Sequence, residues 1–137
     1  MKRILVAYDG SESAGKAFEL ALDLAAKYAA EMDVLAVARP PEFGSEVEAG
    51  AVIENSKKHY HQVLKPLHSV AADTGLKVRF EVAVGHPAEQ IVRHAETWGI
   101  DLIVVGHRGR SFFERLLIGS VAKHVIDHAH CAVLVAR

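Results

Sequence analysis

The amino-acid sequence predicts an α/β fold, a three-layer sandwich around a five-stranded parallel sheet, and three observations carry that expectation. Short apolar runs alternate along the chain with longer stretches of helical period, the pattern of strand–helix units joined by right-handed crossovers. Two of the runs, ILVA at 4–7 and LIVV at 102–105, are apolar without interruption, as strands covered by helices on both faces must be. A third, LKVRFEVAV at 76–84, alternates apolar with charged residues over most of its length and therefore keeps one face in water. Continuous runs belong at the centre and the half-polar run at an edge. That selects strand order 3-2-1-4-5, a Rossmann-like arrangement, because order 2-1-3-4-5 would bury the third strand centrally.

Strands are expected at 3–8, 33–38, 76–84, 101–105 and 131–136. The first helix follows the spacing of Ala14, Ala17, Phe18, Ala21, Leu22, Ala25 and Tyr28, with Ser13 as its expected N-cap. The second is carried by Tyr60, Val63, Leu67, Val70 and Ala71 and stops near Gly75, with Pro66 expected to bend it. The third starts at Pro87, a residue suited to a first helical position, and runs through Ile91, Val92, Ala95 and Trp98 to Gly99. The fourth opens after Gly119-Ser120 and carries Val121, Val125, Ile126 and Ala129. Residues 40–50, rich in Pro, Gly and Glu, read as a long loop.

At 137 residues the chain is expected to form one domain spanning 1–137. A formal charge of −1 offers no global attraction to nucleic acid or anionic membrane. The apolar stretch after MKR is too short for a signal peptide, and no segment reaches the length of a membrane span. A single cysteine, Cys131, leaves no intramolecular disulfide and fits a reducing compartment, so the expected location is cytoplasmic. The last strand, CAVLVA from Cys131 to Ala136, is apolar on both faces although the topology puts it at an edge. An apolar edge invites pairing with another chain, so a homodimer is expected through or near it.

In an open α/β sheet, ligands sit beyond the C-terminal strand ends where the strand order reverses, here between the first and fourth strands. Two loops face that gap. One is AYDGSES; the other is GHRGRSFFERLLIGSVAKHV, from Gly106 onward. Gly106 suits close approach of a ligand to backbone, and Gly109 suits a turn needing positive φ. Gly119-Ser120 opens a helix whose free N–H groups and dipole favour an anion, with the Ser120 hydroxyl as a further donor. Arg108, Arg110, Arg115 and Lys123 make this neighbourhood basic, and it reads as a polyphosphate cradle.

The stretch from Gly10 to Ala17 comes close to the phosphate loop G-x-x-x-x-G-K-[ST], but Ala17 supplies no hydroxyl for Mg²⁺. No neighbouring strand ends in a metal-directed Asp, and Glu12 places a negative charge inside the loop. The near-match is explained by small residues at a helix start, and the phosphates are assigned to the other loop.

The chain resembles the universal stress protein family. Gly106-His-Arg-Gly109, nine residues and Gly119-Ser120 match the pattern G-x2-G-x9-G-[ST] of the family's nucleotide-binding branch. The likeness extends to ILVAYDGSESA at the start, V-G-x-P-A at 84–88, DLIVVG at 101–106 and the closing VLVAR. The resemblance implies an adenine nucleotide, ATP with Mg²⁺, at the switch point. It implies contacts from Asp9 to the ribose or adenine side, with Ala7 lining the pocket and Val37 meeting the adenine. Val105 would pack beside the nucleotide, and Gly106, Arg108, Gly109, Gly119, Ser120 and Val121 would hold ribose and phosphates. It further implies a nucleotide-dependent sensor or regulator in stress adaptation. A slow ATP-hydrolysing enzyme and a nucleotide-free interaction dimer are the alternatives.

Other constellations are weaker. His124, His128 and His130 follow H-x3-H-x-H, but Val125 stands where a zinc-protease helix has Glu, and no metal ligands are assigned. No G-x-S-x-G elbow surrounds Ser120, so no catalytic nucleophile is assigned. Phe112 and Phe113 read as anchors of a flap over the pocket or of a dimer contact, not as a nucleic-acid platform.

Overall fold

A computed structural model describes residues 1–40, 46–108 and 118–137. Five parallel strands, β1 (Arg3–Ala7), β2 (Glu31–Ala38), β3 (Val78–Val84), β4 (Leu102–Gly106) and β5 (Ala132–Ala136), lie in the order β3-β2-β1-β4-β5. The helices are α1 (Glu12–Tyr28), α2 (Glu46–Thr74), α3 (Pro87–Thr97) and α4 (Ser120–His128). The strand order is the one expected from the apolar patterning. In β3 the first five residues alternate between partly buried and exposed, as an edge strand with one wet face requires.

Successive residues of each central strand feed opposite cores. Ile4, Val6, Met32, Val34 and Val104 pack with α1 and α2, whereas Leu5, Leu35, Val37, Ile103 and Val105 pack with α3 and α4. Parallel pairing brings Ala7 beside Leu35 and Val6 beside Val104, so the C-terminal ends of β1, β2 and β4 finish together. On β5, Leu134 leans on the first core and Val133 and Val135 on the second, all three remaining half-exposed in the single chain.

Several boundaries differ from expectation. The N-cap of α1 is Ser11, whose side chain accepts from the Ala14 N–H at 3.2 Å, and Ser13 is buried inside the first turn. Helix α2 begins at Glu46, so the second half of the expected 40–50 loop is helical; residues 41–45 lie outside the described residues. Glu46, Val47, Glu48 and Ala49 are compatible with helix, and the glycine and proline content of their flanks masked that. Pro66 sits within α2 without ending it, on an exposed part of its surface. Strand β2 starts two residues before the expected Asp33, because the Glu31 N–H finds the Lys2 carbonyl at 2.8 Å. Trp98 caps α3 instead of lying within it.

At the opposite end of the sheet from the strand C-termini, Asp33 is buried on β2 between two guanidinium groups. Its Oδ2 meets Arg3 Nη2 at 3.0 Å and its Oδ1 meets Arg79 Nε at 2.6 Å. Arg79 in turn lies 5.3 Å from the centre of the Trp98 ring. Asp101 accepts from the Lys2 and Arg3 backbone N–H groups at 2.6 and 2.9 Å, closing the same end. This end carries structure, leaving the C-terminal end for a ligand.

Candidate functional site

A cavity of about 640 Å³ opens beyond the C-terminal ends of β1, β2 and β4, a size suited to a small organic ligand. Of the residues selected from the sequence, Ala7, Asp9, Val37, Val105, Gly106, Arg108, Gly119, Ser120 and Val121 all line it. Gly109 lies outside the described residues, as do Arg110, Phe112, Phe113 and Arg115. Positions separated by more than a hundred residues, such as Ala7 and Val121, meet because β1 pairs with both β2 and β4.

Three segments build the walls. On β1, the chain leaves Ala7 and turns at Asp9, whose Oδ1 accepts the Ser11 N–H at 2.9 Å. Gly10 follows at φ +84°, a conformation in which a side chain is strained. Tyr8 is partly buried beside Phe18 in an edge-on contact, and burial together with the neighbouring Asp9 charge pushes its hydroxyl pKa up. It is therefore a neutral donor at physiological pH.

The second segment leaves β4. His107 N–H donates to the Ala136 carbonyl at 2.8 Å, and its Nδ1 lies 3.1 Å from the same oxygen, so Nδ1 carries a proton. The Gly119 N–H then donates to the His107 carbonyl at 2.5 Å. That bond brings the end of β4 and the start of α4, the two described parts of the glycine pattern, side by side.

The third segment is the start of α4. Gly119 is its N-cap, with extended backbone and no side-chain cap, and its first turn contains no acidic residue. The arrangement leaves the positive end of the helix without a carboxylate, facing the cavity through Ser120, Val121 and Ala122. His107 and Arg108, beside it, also line the cavity, and Arg39 adds a further basic residue just after the end of β2. The floor is apolar: Leu35, Val37, Ile91 and Val105 all belong to the core on the α3/α4 side.

One expected role changes. Gly106 was expected to leave room for a ligand; the space is taken by α1. A Cβ on Gly106 would stand 2.8 Å from the Ser13 carbonyl carbon and 2.9 Å from the Ala14 nitrogen, with the Ser13 hydroxyl closer still. Its missing side chain lets the first turn of α1 dock on the end of β4.

Arg39, Ser56 and Tyr60 also line the cavity and are not among the site residues selected from the sequence, where Tyr60 reads only as a helix core residue. Arg39 had a signal, since it follows directly after a strand on the side where ligands sit. Ser56 and Tyr60 had little. Both lie on the face of α2 that carries Val63, which meets Gly10 in the turn after β1.

The remaining candidate chemistry lies elsewhere. His124 and His128 stack with ring centres 4.1 Å apart on α4, and His130 lies 3.3 Å from Glu96. Among the described residues, no group of three or more His, Cys, Asp or Glu side chains is arranged to hold a metal ion. Burial is the main cause raising the Cys131 thiol pKa, which makes it a poor nucleophile at neutral pH. No helix among the described residues is long and apolar enough to cross a membrane.

Comparisons with known proteins agree with this architecture. The sequence profile of the universal stress protein family matches residues 1–137. The chain is 35% identical over 139 residues to universal stress protein MJ0531 of Methanocaldococcus jannaschii, covering 99% of this chain and 82% of that protein. The structure of universal stress protein UspA from Lactobacillus plantarum superposes with a TM-score of 0.92 at 27% identity, covering 99% of this chain and 97% of that one. A universal stress protein in complex with cAMP shares the fold, with a TM-score of 0.77 at 24% identity over 99% of this chain and 97% of that one.

Proposed function

The chain belongs to the universal stress protein family, and we propose that its cleft binds an adenine nucleotide, ATP with Mg²⁺. The observation that carries this reading is the junction at Gly119. One hydrogen bond to the His107 carbonyl holds the uncapped start of α4 against the segment leaving β4, with Arg108 alongside. Backbone donors, a helix dipole and a guanidinium then converge where a polyphosphate would lie. The apolar floor of Leu35, Val37, Ile91 and Val105 is suited to a base, and Asp9 to a ribose hydroxyl. The shared fold of a family member that carries cAMP is consistent with adenine as the base.

The fit to Mg²⁺ is limited but adequate. Asp9 is the one acidic side chain among the described lining residues, and one of its oxygens already accepts from the Ser11 N–H. The metal would take its ligands chiefly from phosphate oxygens and water, as Mg²⁺ in nucleotide sites commonly does. When bound it would neutralise phosphate charge; the chain's own groups orient the nucleotide.

The protein acts in this reading as a small cytoplasmic homodimer, a nucleotide-dependent regulator in stress adaptation. The outer edge of β5, with Val133, Leu134 and Val135 half-exposed, is the surface on which a second copy would pair. Sedimentation equilibrium giving only a monomer at micromolar concentration removes the dimer from the proposal.

Calorimetric titration with ATP and Mg²⁺ tests the site. Micromolar binding is expected, weakened about tenfold by Ser120→Ala through loss of a hydroxyl donor to phosphate. Absence of heat, confirmed by a displacement assay on folded protein, overturns it.

A further inference from the structure

Resting on the nucleotide reading above, we infer that α2 supplies the wall on which the base stacks, with Tyr60 as the stacking residue and Ser56 as the small residue that keeps the slot open. Neither position belongs to the glycine pattern, yet both line the cavity.

The placement follows from the two layers. Tyr60 packs against the core on the α1/α2 face of the sheet, while Leu35, Val37 and Ile91 belong to the core on the α3/α4 face. A cavity beyond the strand ends touches both layers. At the β2 end it is therefore bounded by an aromatic ring on one side and by aliphatic side chains on the other. A gap between two apolar walls from opposite faces accepts a flat group, and a nucleobase is the flat part of the proposed ligand.

The wall is held in register. Gly10, in the turn after β1, lies under α2: a Cβ there would come within 3.3 Å of Val63 Cγ1. Val63 follows Tyr60 by three positions and Ser56 by seven, so all three share one helix face. Leu64 and Leu67, both buried, anchor the same helix to the sheet. The His59 ring meets Tyr60 edge-on with centres 5.2 Å apart and restricts the tyrosine from its solvent side. Ser56, one turn from Tyr60, lines the same cavity with a short side chain, and the bulk of a leucine there would take up part of its volume.

The experiment titrates ATP and inorganic tripolyphosphate, each with Mg²⁺, into the full chain and into Tyr60→Leu, Tyr60→Phe and Ser56→Leu. Tyr60→Leu is expected to weaken ATP about tenfold or more, Tyr60→Phe to retain wild-type affinity, and Ser56→Leu to weaken ATP at least tenfold. Tripolyphosphate, which has no base, should bind all four proteins alike. ATP affinity unchanged in folded Tyr60→Leu and Ser56→Leu overturns the α2 wall while leaving the nucleotide site standing. Equal losses for ATP and tripolyphosphate also overturn it, because the residues would then act through the fold. Wild-type protein that binds neither probe overturns the underlying nucleotide reading.

Discussion

The Ser13 hydroxyl donates a 2.6 Å hydrogen bond to the Arg108 carbonyl, tying the first turn of α1 to the segment that leaves β4 across 95 positions of sequence. The same hydroxyl lies 3.4 Å from the Arg108 N–H, so it engages both polar groups of that residue's backbone. The two loops that face the cleft are thereby locked to each other, and Gly106 makes the contact sterically possible.

Gly106→Ala is expected to lower unfolding free energy by about 2 kcal/mol in urea denaturation, since its Cβ would collide with backbone that cannot swing aside. Ser13→Ala should cost about 1 kcal/mol through the lost bond to Arg108. Ser13→Gly should not rescue Gly106→Ala, because the Ser13 carbonyl carbon and the Ala14 nitrogen remain in place.

Asp33→Ala removes a buried carboxylate from between two guanidinium groups. It should cost about 3 kcal/mol by the same measurement, because Arg3 loses its buried partner and β2 loses its tie to β3. Arg79→Ala should cost about 1 kcal/mol, since Arg79 is half-exposed and Arg3 still faces the carboxylate. The bond to Asp33 is the main cause that raises the Arg79 pKa, so the guanidinium stays charged across the neutral range.

Stability against acid should depend on Asp101. Its pKa is lowered first by the Lys2 and then by the Arg3 backbone N–H. A carboxylate with a lowered folded pKa binds its proton less readily than in the unfolded chain. Its stabilising contribution is therefore present above the ordinary Asp value and is lost as pH falls through the folded one. Melting temperatures of wild type and Asp101→Asn should differ most at neutral pH and converge as pH falls below the folded value. A gap that stays constant over that range contradicts the assignment.

Ala29 ends α1 in the left-handed region, at φ 54°, with its N–H bonded to the Ala25 carbonyl. A Cβ is strained there, and glycine is the residue that helix ends prefer at such a position. Ala29→Gly should raise stability by about 0.5–1 kcal/mol, a gain visible as a higher melting temperature.

Part of the site was legible in the chain itself. Gly106, Arg108, Gly119 and Ser120 could be placed together because a strand end and a helix start have local signatures and the strand order follows from apolar patterning. The choice between Ser11 and Ser13 as N-cap could not be made that way. Both are good caps, and only the distant Arg108 carbonyl shows where the Ser13 hydroxyl is used. Tyr60 looked like a core residue of an amphipathic helix. It is partly that, but it also lines the cleft, on the same helix face as Val63, which meets Gly10.

By itself the sequence determined the number of strands, their order and the end of the sheet at which the cavity opens. Those features rest on periodicity and on which runs are apolar on both faces, properties each segment carries alone. Tertiary structure alone decided what meets across the gaps: Asp33 with Arg3 and Arg79, Gly106 with Ser13, and α2 with the turn at Gly10. Such pairings depend on helix tilt and strand register at ångström scale. A pattern of residue types constrains those distances only after the layers have packed.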